Sequence, residues 1–115
     1  MKITHQDQHE MTVLTLKGEL TGDESDRLRR VALERMDARV RDFVLDVREL
    51  DAIDSQGLET FVWLQDQCAE RLGQIRLAGG TDALADVLKI TRLAARFESH
   101  ADPDSAVHSL GVHHA

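Results

Sequence analysis

The run Phe43-Val44-Leu45-Asp46-Val47 is the feature that most narrows what this chain can become. A nearly continuous apolar stretch of strand length suits a central strand covered on both faces. Such a strand needs helices packed against it, and its flanks supply them. Upstream, Leu28, Val31, Ala32 and Met36 recur at helical spacing. Downstream, Leu58, Phe61, Val62, Cys68, Ala69 and Leu72 share one helical face, in a helix that starts after Asp54-Ser55, runs to Leu72 and stops at Gly73.

The remaining elements follow the same alternation. Met11 to Leu16 alternates like a strand and stops at Gly18, and Ile3 to Gln8 reads as a weaker edge strand before it. Thr21-Gly22-Asp23-Glu24 has the form of a capping box, with Thr21 as N-cap and Glu24 reaching back. Ile75 to Ala78 is a further strand, and Thr81 caps a helix carrying Leu84, Val87 and Leu88. Asp102-Pro103 starts a last helix over 104–110. Strands separated by helices imply right-handed crossovers and an α/β fold. The expectation is one domain over residues 1–115, with a central mixed sheet of four to five strands and four helices.

Composition removes several functions. With 21 acidic and 14 basic residues the net charge is −7, which repels phosphate backbones and anionic lipid, so neither nucleic acid nor membrane insertion is expected. The first residues are too polar for a signal peptide. A single cysteine, Cys68, forms no internal disulfide, and a cytoplasmic location is the default expectation. Cys68 reads as an inert core thiol. His5, His9, His100, His108, His113 and His114 lack paired-ligand spacing, so no metal is expected, and nothing calls for a cofactor. Gly79-Gly80-Thr81 lacks the lysine of a phosphate loop and reads as a tight turn. Asp-Ser-Gln-Gly lacks the first glycine of a nucleophile elbow, and no catalytic set assembles around Ser55 and Asp46.

The informative stretch is Phe43 to Leu64, FVLDVRELDAIDSQGLETFVWL. An apolar strand ends at Asp46-Val47, a short polar link follows, and Asp54-Ser55-Gln56-Gly57-Leu58 opens a helix. Ser55 stands where amides are unpaired and the dipole is positive, which favours an added phosphoryl group. Gly57 places no side chain there and leaves room for another molecule. Ser and Asp are also ordinary N-caps, and the residues alone do not choose between capping and modification. Trp63 falls opposite the apolar face, near Gln56, Glu59, Gln67 and Glu70. It is either an exposed interface anchor or a ring covered by a neighbouring element.

An apolar strand followed by Asp54-Ser55-Gln56-Gly57-Leu58 resembles the STAS domain family, the anti-sigma factor antagonists. Gly18-Glu19-Leu20 resembles the turn closing the family's second strand. The segment from Leu88 to Phe97 resembles its late helix and strand, and Asp104-Ser105-Ala106-Val107 the start of its last helix. The likeness runs from Val13 to Leu110. It implies that Ser55 is the serine phosphorylated by a partner kinase, with Asp54, Gln56 and Gly57 as its neighbours. It also implies an unmodified form that binds an anti-sigma factor or serine kinase protein, a contact for which Trp63, Glu59 and Asp23 are candidates. A phosphatase would reset such a site. Thr21 stands where many relatives have Asp, and Gln56 where many have a second hydroxyl. Two alternatives remain: a STAS subunit of a transporter or larger signalling assembly without the switch, and a small α/β enzyme or nucleotide-binding domain.

Overall fold

Five strands lie in the sheet in the order in which the chain makes them: β1 (Lys2–Gln8), β2 (Met11–Leu20), β3 (Asp42–Ile53), β4 (Ile75–Ala78) and β5 (Glu98–His100). The computed structural model describes residues 1–113. β1 and β2 form an antiparallel hairpin, whereas β2, β3, β4 and β5 run parallel. Parallel neighbours cannot be joined by a tight turn, so each step carries a helix. These are α1 (Glu24–Asp37), α2 (Ser55–Glu70) and α3 (Asp82–Ile90), the last followed by a 3₁₀ turn at Ala94–Arg96. α4 (Pro103–His113) follows β5.

The central run behaves as its composition requires. Phe43, Leu45 and Val47 enter the larger core with Leu28, Phe61, Leu64 and Leu84, so α1, α2 and α3 share one face. Val44 and Ala78 point the other way, onto Ala106 and Leu110 of α4. The mixed sheet, α/β class and four helices are as the sequence implies.

Several local expectations are corrected. β3 does not stop at Val47; Glu49, Leu50, Ala52 and Ile53 stay paired with Lys17, Gly18, Glu19 and Leu20. β2 likewise passes through Gly18, where φ is +109° and the register shifts. The capping box does not form. Asp23 is the N-cap of α1 without a side-chain bond, and the Glu24 amide donates to the Thr21 carbonyl at 3.1 Å. The turn closes through backbone because Gly22 adopts φ +54°. α2 ends at Glu70, and Leu72, expected on the buried face, adopts φ +59° and is 86% exposed. Ala69 is exposed as well, and Leu64 takes the core position instead. Gly73 serves packing: a Cβ there would sit 2.0 Å from the Arg41 carbonyl oxygen.

Two caps match the sequence. Thr81 accepts from the Leu84 amide at 3.2 Å, and Asp102 from the Ser105 amide at 2.8 Å. Gly79 and Gly80 turn with φ +77° and +125°. Among the described residues no helix is long and apolar enough to cross a membrane.

Candidate functional site

All four parallel strands end at one edge of the sheet, and the residues singled out by sequence gather there. β3 delivers Ile53 alongside Leu20 of β2, and the next residue, Asp54, is extended at φ −102° and ψ −176°. Its amide donates to the Leu20 carbonyl at 3.2 Å. Its carboxylate faces two ways: Oδ1 accepts from the Gly57 amide at 2.8 Å, and Oδ2 from the Gly22 amide at 3.0 Å. Those amides, Gly22 first, hold the carboxyl below its ordinary value of 3.8, because they stabilise the charged form.

Asp54 thus supplies the cap that the sequence left open between Asp54 and Ser55. Ser55 is the first residue of α2 and is exposed, and its hydroxyl has no hydrogen-bond partner within the protein among the described residues. Gln56 is exposed too, and its carbonyl accepts from Thr60 Oγ1 at 2.9 Å. Gly57 corrects the expectation of vacant space. It is buried, and a Cβ would meet Ile53 Cγ1 and the Leu20 carbonyl oxygen, each at 2.7 Å. Glycine here lets α2 approach the sheet. Because the Gly57 amide is engaged by Asp54, it is not a free donor for a group added at Ser55.

The bond from Gly22 to Asp54 brings the turn before α1 against the start of α2, and exposed Asp23 stands in that turn. Glu59, also exposed, follows Ser55 by one helical turn. Trp63 lies farther along and is half-buried against the larger core. The Arg29 guanidinium of α1 sits over its ring at 5.4 Å, while Arg29 Nε donates to Thr60 Oγ1 at 3.2 Å. Arg29 of α1 thus covers one face of the ring, and the rest of Trp63 stays partly exposed. Sequence patterning missed this because Thr60 and Trp63 turn toward α1, a direction the periodicity of α2 alone does not reveal. It also missed Gly22 as a partner of Asp54; its place in the Thr-Gly-Asp-Glu turn was the available signal.

The groups set aside hold ordinary positions. Asp46 is buried and gripped by Arg48, Nε to Oδ1 and Nη2 to Oδ2, both at 3.0 Å. Burial pushes the Cys68 thiol up to about 12. His5 contacts Asp7 and His100 contacts Glu98. His114 and the His113 side chain lie outside what the structure describes. Among the described residues no group of three or more His, Cys, Asp or Glu could hold a metal ion.

A family model described as "Mlab, STAS domain" matches residues 3–98. No curated protein matches the chain. Solved structures share the fold. An anti-sigma factor antagonist from Mycobacterium paratuberculosis superposes with a TM-score of 0.83 at 16% identity, over 95% of this chain and 92% of that one. The phosphorylated form of the Bacillus cell fate determinant SpoIIAA gives 0.77 at 16% identity, over 94% and 98%. A sulfate transporter family protein from Wolinella succinogenes gives 0.78 at 21% identity, over 90% and 86%. At these identities the likeness is one of fold.

Proposed function

The chain belongs to the STAS domain family, and from that premise we propose that it is a protein-binding regulator switched by phosphorylation of Ser55. The whole of 1–115 is taken as this one domain. Unmodified, it docks an anti-sigma factor kinase through the edge carrying Ser55, with Asp23, Glu59 and the accessible rim of Trp63 as contacts. Phosphorylated, it lets go. It acts in the cytoplasm by contact and not by catalysis, and a phosphatase returns it to the binding form.

One observation supports this reading above the others: Asp54 does the capping, so the Ser55 hydroxyl stands exposed with no structural task inside the protein. Phosphorylation adds about −1.5 to −2 charges. With Asp54 holding the Gly57 amide, the phosphoryl group stays on the outer surface among Asp51, Asp54 and Glu59. A partner seated there would have to bury a dianion left without a matched donor, which is costly.

The test is to incubate the protein with its host's soluble kinase fraction and ATP, and to compare it with Ser55→Ala by mass. One phosphoryl group on the wild type, absent from the variant, is the expected result; equal masses overturn the switch. The second reading, a static subunit of a transporter or larger assembly, draws on the fold shared with the Wolinella sulfate transporter family protein. It is the reading left standing if the masses are equal.

A further inference from the structure

The two ends of the sheet carry opposite charge. The segments at the strand exits, 19–26, 48–59, 79–86 and 100–104, hold twelve carboxylates against Arg48, with Lys17 and Arg27 just outside them paired to Glu49 and Glu24. The segments at the strand entrances, 8–11, 35–42, 70–75 and 89–96, hold seven Lys and Arg against four carboxylates. Arginine at helix C-termini is common, because the dipole favours it. The dipole does not explain what accompanies the charge. Leu72 and Ile90, 86% and 80% exposed, both stand at the basic end, Leu72 directly after Arg71 and Ile90 between Lys89 and Arg92 in sequence, while Arg39 and Arg71 line one cleft there.

The acidic end carries the matching shape. A groove of about 210 Å³ runs between the end of β3 and α3, floored by Leu50, Ile53, Leu84 and Val87 and edged by Ala52 and Ala83. Asp51 lies in its wall, and exposed Asp82 and Asp86 stand on the helix beside it. Leu72 projects from a left-handed turn directly after Arg71, an apolar knob next to a cation whose guanidinium donates to the Gln67 side chain at 2.8 Å. The groove is a single apolar slot flanked by carboxylates.

We infer that a second copy of this chain docks head to tail, with Leu72 seated in the groove between β3 and α3 and Arg39 and Arg71 facing Asp51, Asp82 and Asp86. Both complementary surfaces are present on one chain, which is what a heterologous contact requires. Such a contact leaves a free end on each side, so it propagates rather than closing at two copies. The basic end has carboxylates mixed among its arginines, including Glu70 beside Arg71, which suits a patterned protein surface better than a uniformly anionic membrane. The contact does not require modification of Ser55, but the docked copy would cover the edge that carries it.

Sedimentation velocity on the full chain at low and high salt tests this. The expected result is an average mass that keeps rising with concentration at low salt and returns to the monomer at high salt. Leu72→Asn removes the knob while suiting the left-handed turn, and Ala83→Asp fills the groove at a helix start that tolerates acid. Each variant alone should remain monomeric, and an equimolar mixture should approach twice the monomer mass, because one intact knob then meets one intact groove. Three results overturn the contact: a wild type that stays monomeric at low salt, association that stops at two copies and survives Leu72→Asn, or variants that do not complement. Retention of the wild type by phosphatidylserine vesicles, lost in Leu72→Asn and without any rise in mass, would assign the basic end to lipid instead.

Discussion

Gly22 and Asp54 stand 32 residues apart in the chain and are joined by a 3.0 Å hydrogen bond from the Gly22 amide to Asp54 Oδ2. Since Oδ1 of the same carboxylate caps α2 through Gly57, one side chain ties the turn before α1 to the first turn of α2. The surface around Ser55 is therefore a braced corner in which two chain segments share one anion. A partner reading Ser55, Asp23 and Glu59 together depends on that brace.

Asp54→Asn should weaken the fold and flatten its response to acid. An amide has a single acceptor oxygen and cannot serve both glycine amides. The wild-type carboxyl is held below its ordinary value of 3.8, so its contribution is complete above that pH and disappears as pH falls through the lower folded value. Thermal unfolding should show the variant losing several degrees of melting temperature near neutral pH. The difference from wild type should shrink below about pH 4, where the unfolded carboxyl takes up its proton. A gap that stays constant into strong acid would mean the carboxylate charge is not what the two amides recognise.

Ser55→Ala should leave stability within about 0.5 kcal/mol of wild type, as expected of a surface substitution that breaks nothing. The hydroxyl makes no hydrogen bond within the protein among the described residues, and the cap belongs to Asp54. Thermal unfolding checks this directly, and a loss as large as that of Asp54→Asn would restore Ser55 to a structural role.

What could be read from sequence here divides by the reach of the interaction. Thr81 and Asp102 cap through amides three residues on, so their roles were visible in the local pattern. The apolar run at Phe43 announced a covered strand because burial on both faces leaves no polar alternation. Thr21 failed as a cap because Gly22 can close the turn through backbone, a choice that side-chain patterns do not display. Leu72 fell outside the core because the helix stops at Glu70, where Gly73 must meet the Arg41 carbonyl of a distant segment. At the corner before α2, a cap from Asp54 or Ser55 was legible, and Asp54 makes it. The reason for Gly57 was not, since it lies in the Leu20 carbonyl, 37 positions upstream in numbering.

Gly57→Ala should be among the more damaging small substitutions. The added methyl would stand 2.7 Å from the Leu20 carbonyl oxygen, a backbone atom held by the β2–β3 pairing, and 2.7 Å from Ile53 Cγ1. Alanine normally favours a helix by up to about 1 kcal/mol over glycine. Here overpacking should win and destabilise the fold by about 1–3 kcal/mol. Equilibrium urea unfolding with an unchanged slope is the measurement. A neutral or stabilised variant would show that α2 can lift off the sheet freely, leaving glycine without a packing role in the motif.

Trp63 is the one tryptophan in the chain, so its emission reports on a single place. The ring packs half-buried on the larger core with the Arg29 guanidinium over its face, and Arg29 is itself positioned by its bond to Thr60 Oγ1. Truncating the ring uncovers apolar surface beneath it, and since only part of the side chain was out of water, Trp63→Ala should cost about 1–2 kcal/mol. Arg29→Ala should cost less, about 0.5–1 kcal/mol for the lost cation–ring attraction, yet it should shift the emission to longer wavelength and raise quenching by acrylamide, because the ring is then uncovered. The two variants separate packing from covering: one removes the ring, the other only its lid. If Trp63→Ala left the melting temperature unchanged and Arg29→Ala left the emission unchanged, the ring would be a free surface group, able to meet a partner without first displacing Arg29. If both respond as expected, a partner reaches the rim of Trp63 freely but must compete with Arg29 for the face of the ring.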